Sequence, residues 1–386
     1  TGAENTALGA SALGTNTTGA GNVAVGVNAL LVNTTGSNNI AVGEFALDAN
    51  TTGDDNTAFG YAALGANTTG VKNVGIGNSA LKANTTGDYN VAIGWGALDA
   101  TTTADGSVAI GYDAMGNNTA GGNVAIGRNA LASVTTGSSH VAVGYQAAKD
   151  LATDRSWVTA VGHQAMAQAT TGQSNTAVGY LALGGAVNTA SSNVAVGHAA
   201  GQLVTSGNNN TFMGYVAGQA VTTGNSNVFL GNFSGNGVTT GSNNTFVGDD
   251  TCRDHNVGNC TFVGRHAGYN NEVNDNDAFG SGAMTSNTTG RYCVAVGQAT
   301  LHVQTTGNYN TAVGYIAGYD LTTASQCTLI GYLAGSNITT GDANTCVGHQ
   351  AATNLTTGHN NTFIGRENAA SSVSTTYETV IASQQT

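Results

Sequence analysis

The chain is built on the stretch Asn22–Asn38, NVAVGVNALLVNTTGSN, which returns in altered form along the whole sequence. We number the repeat from Asn22 as position 1, so that Gly26 occupies position 5. A glycine then recurs at position 5 with a spacing of 17 residues, interrupted by a few spacings of 16 or 18. A fixed period of this kind indicates a repeat architecture and overrides a division by length into globular domains.

The period predicts one repeat domain over residues 1–386. We expect an irregular zone at 249–283, where two successive spacings shorten to 16 residues. The last, degenerate copy of the repeat occupies 378–386.

Positions 2 to 4 of each repeat have the composition of a short strand. Position 2 is Thr, Val or Ile in every complete copy except at Asp277, and position 4 is always apolar. Because side chains alternate along a strand, positions 2 and 4 share one face and position 3 lies on the other. The β-branched enrichment favours strand over helix. We therefore expect an all-β fold, a parallel β-solenoid of about 22 coils, each coil having two short strands and two corners.

The side chains at positions 3 and 9 change size in opposite directions along the chain. Early copies combine Ala24 with Leu30, whereas later copies combine Phe212 with Gly218. Packed interiors keep their volume nearly constant, so we infer that positions 3 and 9 touch inside the same coil. Two pairs depart from this rule, Ala195 with Gly201 and Ala312 with Gly318.

If positions 3 and 9 fill the coil, the face with positions 2 and 4 needs another partner. A row of Val, Ile and Thr along the solenoid would otherwise be a long exposed apolar stripe. We expect copies of the same chain to cover it in a symmetric homo-oligomer, with a homotrimer favoured by the resemblance given below.

Two further columns have a structural interpretation. The Asn at position 1 would stack from coil to coil as a side-chain amide ladder, and the invariant Gly at position 5 requires positive φ or close backbone approach. Cys260, Cys293 and Cys327 replace that Asn on coils that are not neighbours, so we expect free, half-buried thiols.

Composition excludes several classes of protein. The chain has 9 basic and 21 acidic residues, a net charge of −12, which is the wrong sign for binding nucleic acid or anionic lipid. No apolar run approaches membrane-spanning length, so we expect no direct membrane insertion of these residues. The absence of Pro and the 8% share of charged residues exclude Pro-rich linkers and charged helical surfaces.

The core Val91-Ala92-Ile93-Gly94 followed by Ala97, and Val124-Ala125-Ile126-Gly127 followed by Ala130, resembles the head repeats of YadA-like trimeric autotransporter adhesins. The longer repeat, with its NTTG and SNNTAVGY segments, is similar to the repeat arrays of phage-type tail-fibre proteins. The resemblance covers the whole chain. It implies a parallel β-roll, packing of three chains along an axis, and an extracellular fibre concerned with attachment.

Position 6 is the most variable column and carries aromatic and Arg side chains. Such side chains are typical of recognition sites, although Tyr could simply cover the corner after the glycine. The candidate surface-recognition residues are Tyr61, Trp95, Tyr112, Tyr145, Tyr180, Tyr215, Tyr315 and Tyr332. We expect their ligand, if any, to be a cell-surface molecule or carbohydrate.

No motif favours a cofactor, a metal or a catalytic group. Gly75–Ala80 imitates a dinucleotide fingerprint, but it is one ordinary copy of the repeat. His163, His198 and His349 all occupy position 6 without neighbouring ligands, and the acidic residues of the irregular zone match no known calcium loop. The Asn-Thr-Thr corners match glycan acceptor sites, but the repeat geometry accounts for them without glycans.

The sequence therefore predicts a non-enzymatic structural and adhesive fibre segment that works outside the cell or virion. One alternative is an ice- or crystal-surface binder, because paired Thr such as Thr34-Thr35 recur at each corner. Adjacent side chains point to opposite faces, however, so only one regular Thr row is expected. A carbohydrate-processing β-helix enzyme is the other alternative, and it would need a carboxylate cluster in a groove.

Overall fold

The computed structural model describes residues 2–151 and 157–381. Contacts group the chain into two compact units, Thr1–Ser192 and Asn193–Thr386, and each is described here by itself. In both units the regular secondary structure of the described residues consists of three-residue β-strands. The class of fold predicted from the sequence, an all-β parallel solenoid with a repeat of about 17 residues, is confirmed.

The strands of each unit follow one another at the period of the repeat. In the first unit they are β1 Thr6–Leu8, β2 Val23–Val25, β3 Ile40–Val42, β4 Thr57–Phe59, β5 Val74–Ile76, β6 Val91–Ile93, β7 Val108–Ile110, β8 Val124–Ile126, β9 Val141–Val143, β10 Thr159–Val161 and β11 Thr176–Val178. In the second unit they are β12 Val194–Val196, β13 Thr211–Met213, β14 Val228–Leu230, β15 Thr245–Val247, β16 Thr261–Val263, β17 Asp277–Phe279, β18 Val294–Val296, β19 Thr311–Val313, β20 Thr328–Ile330, β21 Thr345–Val347, β22 Thr362–Ile364 and β23 Thr379–Ile381.

Within each unit every strand pairs in parallel with the next one, and like positions face each other. Ala24 is opposite Ala41 in the first unit, and Phe229 is opposite Phe246 in the second. This register holds through the two shortened coils of the irregular zone, where Thr261 lies between Thr245 and Asp277. The missing residues are therefore taken from the corners of the coil and not from the strands.

The two faces of the strands differ in burial as the alternation predicts. From β2 to β22 the middle residue, at position 3, is buried, as Ala24 and Phe229 illustrate. The residues on either side, at positions 2 and 4, are half-buried or exposed in the single chain. Position 3 thus faces the interior of the coil, and positions 2 and 4 face outwards.

The predicted contact between positions 3 and 9 is confirmed. A Cβ built on Gly218 would lie 2.4 Å from Cδ1 of Phe212, and one built on Gly235 would lie 2.5 Å from Cε2 of Phe229. The Phe rings fill the space that Leu occupies in the first unit, and they stack from coil to coil with centroids 4.8 Å apart between Phe229 and Phe246.

The structure explains one of the two pairs that depart from the size rule. The space beside Ala312 and Gly318 is filled from neighbouring coils, because a Cβ on Gly318 would meet Leu329 at 2.6 Å and Leu301 at 2.9 Å. Position 12 also takes part in filling the core, which the sequence analysis did not recognise. Where position 9 is Gly, position 12 is often a buried aliphatic residue, as at Val221 and Ile338.

The Asn column at position 1 forms the predicted amide ladder, and most of its side chains are buried. Asn22 Oδ1 accepts a hydrogen bond from the backbone N–H of Asn39 at 2.9 Å, and Asn22 Nδ2 donates to the carbonyl of Gly36 at 2.9 Å. A second ladder runs at position 12 in the first unit, where Asn50 Nδ2 donates to Asn33 Oδ1 at 2.8 Å. Asn22, Asn33, Asn39 and Asn50 are fully buried, so their amides replace water for backbone groups inside the coil.

The expectation of two strands per coil is wrong, because each coil has one strand. The segment after the glycine at position 5 carries left-handed residues at positions 7 and 9, as at Asn28 (φ 57°) and Leu30 (φ 49°). An extended strand excludes such residues. Their N–H groups nevertheless bond to adjacent coils, from Asn28 to Ala10 at 2.9 Å and from Leu30 to Ala46 at 3.0 Å. The second side of the coil is therefore a hydrogen-bonded ladder without β geometry.

All five cysteines are free and buried, so the expectation of free thiols is confirmed and the burial exceeds the predicted half. The thiol of Cys293 donates to the carbonyl of Gly307 at 3.4 Å, and that of Cys327 donates to Gly341 at 3.4 Å. In other coils the amide of the Asn at position 1 donates to the equivalent carbonyl, at position 15. Burial raises the pKa of Cys260 to about 12 and that of Cys327 to about 11.

Candidate functional site

The outward face of the strands is the first surface with a functional implication. Position 4 is apolar in every strand, and several of its side chains are strongly exposed in the single chain. Phe59 is 56% exposed and Met213 is 48% exposed, although apolar side chains of this size are normally withdrawn from water. Position 2 adds Val, Ile or Thr in every strand except β17, so the two positions make a largely apolar row along the stacking direction of each unit.

This outward row carries almost no charge. Asp277 is the one charged residue at positions 2 and 4 of the strands. Its Oδ1 atom accepts a hydrogen bond from the backbone N–H of Thr261 at 3.0 Å. A continuous neutral apolar row is suited to contact with another apolar surface and not to binding a charged ligand.

The position-6 row comes two residues after position 4, beyond the glycine of the corner. The eight candidate recognition residues all lie in it, with exposures between 38% for Tyr145 and 49% for Tyr61 and Trp95; the others are Tyr112, Tyr180, Tyr215, Tyr315 and Tyr332. Exposure of this size is compatible with the predicted recognition role, which stays a prediction.

Seven of these eight rings stack on an aromatic or histidine ring of an adjacent coil. Trp95 and Tyr112 have centroids 4.9 Å apart with an angle of 11° between their planes. The guanidinium of Arg128 lies 5.4 Å from the ring centroid of Tyr112 and continues the stack as a cation–π contact. Tyr315 and Tyr332 stack similarly at 5.5 Å.

The stacking restricts what the row can bind. A sugar or a planar ligand packs on the face of an aromatic ring, but here neighbouring rings already face each other. Ring edges and Tyr hydroxyl groups are what these stacks present sideways. The geometry therefore favours a role of these rings in stabilising neighbouring coils. A ligand could contact only the ring edges and the Tyr hydroxyl groups.

The histidines at position 6 belong to the same stacks, which the sequence analysis did not recognise. His163 lies between Tyr145 and Tyr180, with centroid distances of 4.9 and 5.4 Å. In the second unit His349 stacks on Tyr332 at 5.0 Å. Their placement in one column was the signal, because every coil puts its position-6 side chain beside that of the next.

A second aromatic row at position 17 was also missed. Tyr292 and Tyr309 stack there at 5.2 Å, and Lys72 Nζ lies 5.1 Å from the ring centroid of Tyr89. These tyrosines have positive φ, 58° in each case, like the Asn and Asp that occupy the position in other coils. A Tyr in a column of Asn and Asp was the available signal.

The Asn-Thr-Thr corners are built into the solenoid. Asn33, Asn50 and Asn67 are fully buried in the second amide ladder, so their side chains are not accessible for glycan attachment in the folded chain. The first Thr of each corner also points its hydroxyl to the backbone, since Thr34 Oγ1 donates to the carbonyl of Thr51 at 2.9 Å. The geometry supports the interpretation of these corners as repeat structure.

The irregular zone contains one cluster with metal-ligating side chains. Ligand atoms of Asp249, Asp250 and His266 lie within 4.8 Å of one another. Two arginines already serve these carboxylates, since Arg253 Nη1 is 2.9 Å from Asp250 Oδ1 and Arg265 Nε is 4.0 Å from Asp249 Oδ2. Both carboxylates of this cluster therefore have an arginine of the chain as an ionic partner.

One pair of carboxylates comes together that the sequence analysis did not foresee. Asp99 and Asp113 both lie close to Gly96, whose Cβ would meet Asp113 Oδ1 at 2.7 Å and Asp99 Oδ2 at 3.8 Å. Partial burial and then the neighbouring Asp113 raise the pKa of Asp99. The two carboxylates line a small cavity of about 180 Å³ with Gly116 and Asn117.

Comparison with known proteins identifies no relative. The chain matches no protein-family model, and the search of curated proteins finds no similar sequence. In the described part of the chain, no helix has the length and apolar character needed to cross a membrane.

Proposed function

We propose that this chain is a non-enzymatic segment of an extracellular fibre, in which copies of the chain associate through the outward strand face and provide reach and surface attachment. The observation that carries the proposal is the apolar, nearly uncharged row at positions 2 and 4. In the single chain it leaves side chains such as Phe59 and Met213 about half exposed. A second copy of the same row is the simplest surface that would cover it.

Three copies around an axis parallel to the stacking direction would cover the whole row at once. Such cyclic symmetry brings position 4 of each copy to position 4 of the others, coil by coil. No charge complementarity between the copies is needed, because the rows contain almost no charged residues. The proposal of three copies rests on the resemblance to trimeric adhesins, whereas the proposal of self-association rests on the apolar row.

The mechanical role follows from the connections between coils. Within each unit, neighbouring described coils bond through strand pairing and a second backbone ladder, and buried amides add to these contacts. Solenoids of this kind gain stability from each neighbour interface and present regular columns to their surroundings. The exposed columns at positions 6, 14 and 17 are then the surfaces available for attachment.

A pair of matched variants tests the self-association. Ile76→Asp and Ile126→Asp place charges in the outward row at side chains that are 37% exposed in the single chain, so each coil should still fold. We expect wild-type protein to sediment as a trimer and the double variant to shift towards monomer. Thr35→Asp with Thr86→Asp, on the exposed corner, should leave the trimer intact. A monomeric wild type at micromolar concentration, or a double variant that stays associated, would contradict the proposal.

An ice- or crystal-surface binder remains the second candidate, because one regular row of Thr is exposed. The second Thr of the corner is exposed in six successive coils, at Thr18, Thr35, Thr52, Thr69, Thr86 and Thr103. The first Thr of each corner gives its hydroxyl to the backbone, which leaves one row and not two. Measurable thermal hysteresis that is lost on replacing this row would support the second candidate.

A further inference from the structure

We propose that the first unit carries a binding groove for a short, neutral oligosaccharide between the coils of β9, β10 and β11. This inference builds on the attachment role proposed above, but it concerns a different surface from the position-6 row. The groove has a volume of about 380 Å³, which places it in the range of roughly 300–1,000 Å³ that small-molecule sites occupy. Its lining comes from positions 7, 10, 11 and 13 of three successive coils.

The groove lies where the repeat is broken. Asn188 takes position 12 of its coil, because it forms a parallel bridge with Ala169 of the preceding coil. Four residues, 184–187, therefore link Leu183 to Asn188, where two residues link Met166 to Ala169. The longer link bulges outwards and raises one wall. In repeat proteins, insertions of this kind map to one face, which is often the binding face.

Small residues at position 10 open the floor of the groove. Position 10 is Ala167 and Gly184 in these two coils, and it is also small in other coils of the first unit, as at Gly65 and Gly116. Gly184 is held close to the preceding coil, since its Cβ would meet the carbonyl oxygen of Gln164 at 2.1 Å. The concavity is thus part of the backbone path and not a gap left by one side chain.

One wall of the groove carries amides. Gln164 Nε2 donates to Gln146 Oε1 at 3.0 Å, and this bond leaves Nε2 of Gln146 and Oε1 of Gln164 to serve a ligand as donor and acceptor. Gln168, which is exposed, adds a third amide. Amides that offer both donors and acceptors match the hydroxyl groups of a sugar, each of which both donates and accepts.

The lining also contains two aliphatic side chains, and it has little net charge. Leu181 occupies position 7, in the same column as Gln146 and Gln164, and Val187 lies in the longer link and is 61% exposed. Lys149 Nζ lies 3.3 Å from Asp150 Oδ1, so the two charges of the lining compensate each other. A sugar ring has a hydroxylated edge and an apolar C–H face, and a lining that combines amides with aliphatic side chains offers a partner to each. A strongly charged ligand gains nothing from this arrangement.

The test uses the whole chain and three neutral probes, cellotetraose, maltotetraose and chitotetraose, with trigalacturonate as the anionic comparison. Ligand-observed NMR and calorimetry at millimolar probe concentration would measure binding. We expect at least one neutral probe to bind. Gln146→Ala with Gln164→Ala, and separately Val187→Asp, should weaken that binding by about tenfold or more.

The matched control is Gln219→Ala. Gln219 Nε2 donates to Gln202 Oε1 at 2.7 Å in a regular coil of the second unit, so this variant removes the same kind of amide pair away from the groove. It should leave binding unchanged. The inference is overturned if no neutral probe binds, if both groove variants bind like wild type, or if trigalacturonate binds as tightly as the neutral probes.

The oligomeric mass of the same samples separates this inference from the proposed function. A trimer that binds no neutral probe counts against the groove alone. A monomer that binds a neutral probe, and loses it in the groove variants, supports the groove and counts against the fibre.

Discussion

At the scale of the residue, the fold depends on backbone conformations that most side chains avoid. Leu30 and Phe45 are left-handed, with φ of 49° and 59°, and such positions recur in coil after coil. Each left-handed non-glycine residue is expected to be unfavourable by about 1 kcal/mol or more. These residues persist because the N–H groups at positions 7 and 9 find carbonyl partners in adjacent coils.

At position 5, unlike positions 7 and 9, only glycine fits the backbone. Its φ lies between 128° and 142° in all copies, and a Cβ on Gly94 would lie 2.5 Å from the carbonyl oxygen of Gly111. We predict that Gly94→Ala lowers the free energy of unfolding by about 2–4 kcal/mol, measured by thermal denaturation. Gly116→Ala is the control, since its Cβ would meet nothing closer than 3.5 Å. Equal stability of the two variants would contradict the close approach at position 5.

The buried cysteines make a prediction about pH. Burial raises the pKa of Cys260 and Cys346 from the ordinary 9.0 to about 12. At pH 8 such thiols carry about a thousandfold less thiolate than unfolded cysteine, so iodoacetamide should label them after unfolding and not before. The sign for stability also follows, because the unfolded chain releases these protons at lower pH than the folded one. Stability should fall as the pH rises above about 9, and rapid labelling of the native protein at pH 8 would contradict the burial.

Within many coils, the core at positions 3 and 9 is filled by one of two side-chain pairs, Phe with Gly or Ala with Leu. Phe229 with Gly235, and Ala125 with Leu131, occupy equivalent positions in coils that also share an aliphatic residue at position 12. Leu131 has φ of 51° and Gly235 has φ of 60°, so the backbone of one coil accepts the residue of the other. The two fillings therefore differ in side-chain arrangement and not in backbone path.

A double-mutant cycle tests this interchange. Phe229→Ala alone should destabilise the protein by about 3–5 kcal/mol through the cavity it leaves. Gly235→Leu alone should also destabilise, because its Cβ would lie 2.5 Å from the ring of Phe229. The double variant recreates the Ala–Leu filling and should be more stable than the sum of the single effects predicts. Additive effects in thermal unfolding would show that the two positions do not share one space.

The repeat made some elements predictable from sequence and left others hidden. Columns that change together, such as Phe212 with Gly218, disclosed a contact, and the constant Asn and Gly disclosed a ladder and a close approach. The sequence pattern predicts a strand on the second side of the coil, because a left-handed Leu has the same place in the pattern as an extended one. The His163 stack and the Gln146–Gln164 groove depend on which coils are neighbours and how a bulge is accommodated, and these are properties of the folded backbone.

At the scale of the whole molecule, the central question is what covers the outward row. The chain has 21 acidic and 9 basic residues, yet its charges avoid positions 2 and 4 of the strands almost entirely. A surface selected only for contact with water would have no reason to keep this row apolar in both units. Self-association explains the distribution, and attachment sites then belong to the remaining columns and the groove.

The rate at which peroxide oxidises Met213 measures directly whether the outward row is shielded from solvent. Met213 is the one methionine at position 4 and is 48% exposed in the single chain, whereas Met115, Met166 and Met284 are fully buried inside their coils. If sister chains cover the row, Met213 in wild-type protein should oxidise as slowly as the three internal methionines and become reactive in the Ile76→Asp, Ile126→Asp variant. Rapid oxidation of Met213 in the wild-type protein, with the other three protected, would contradict the account.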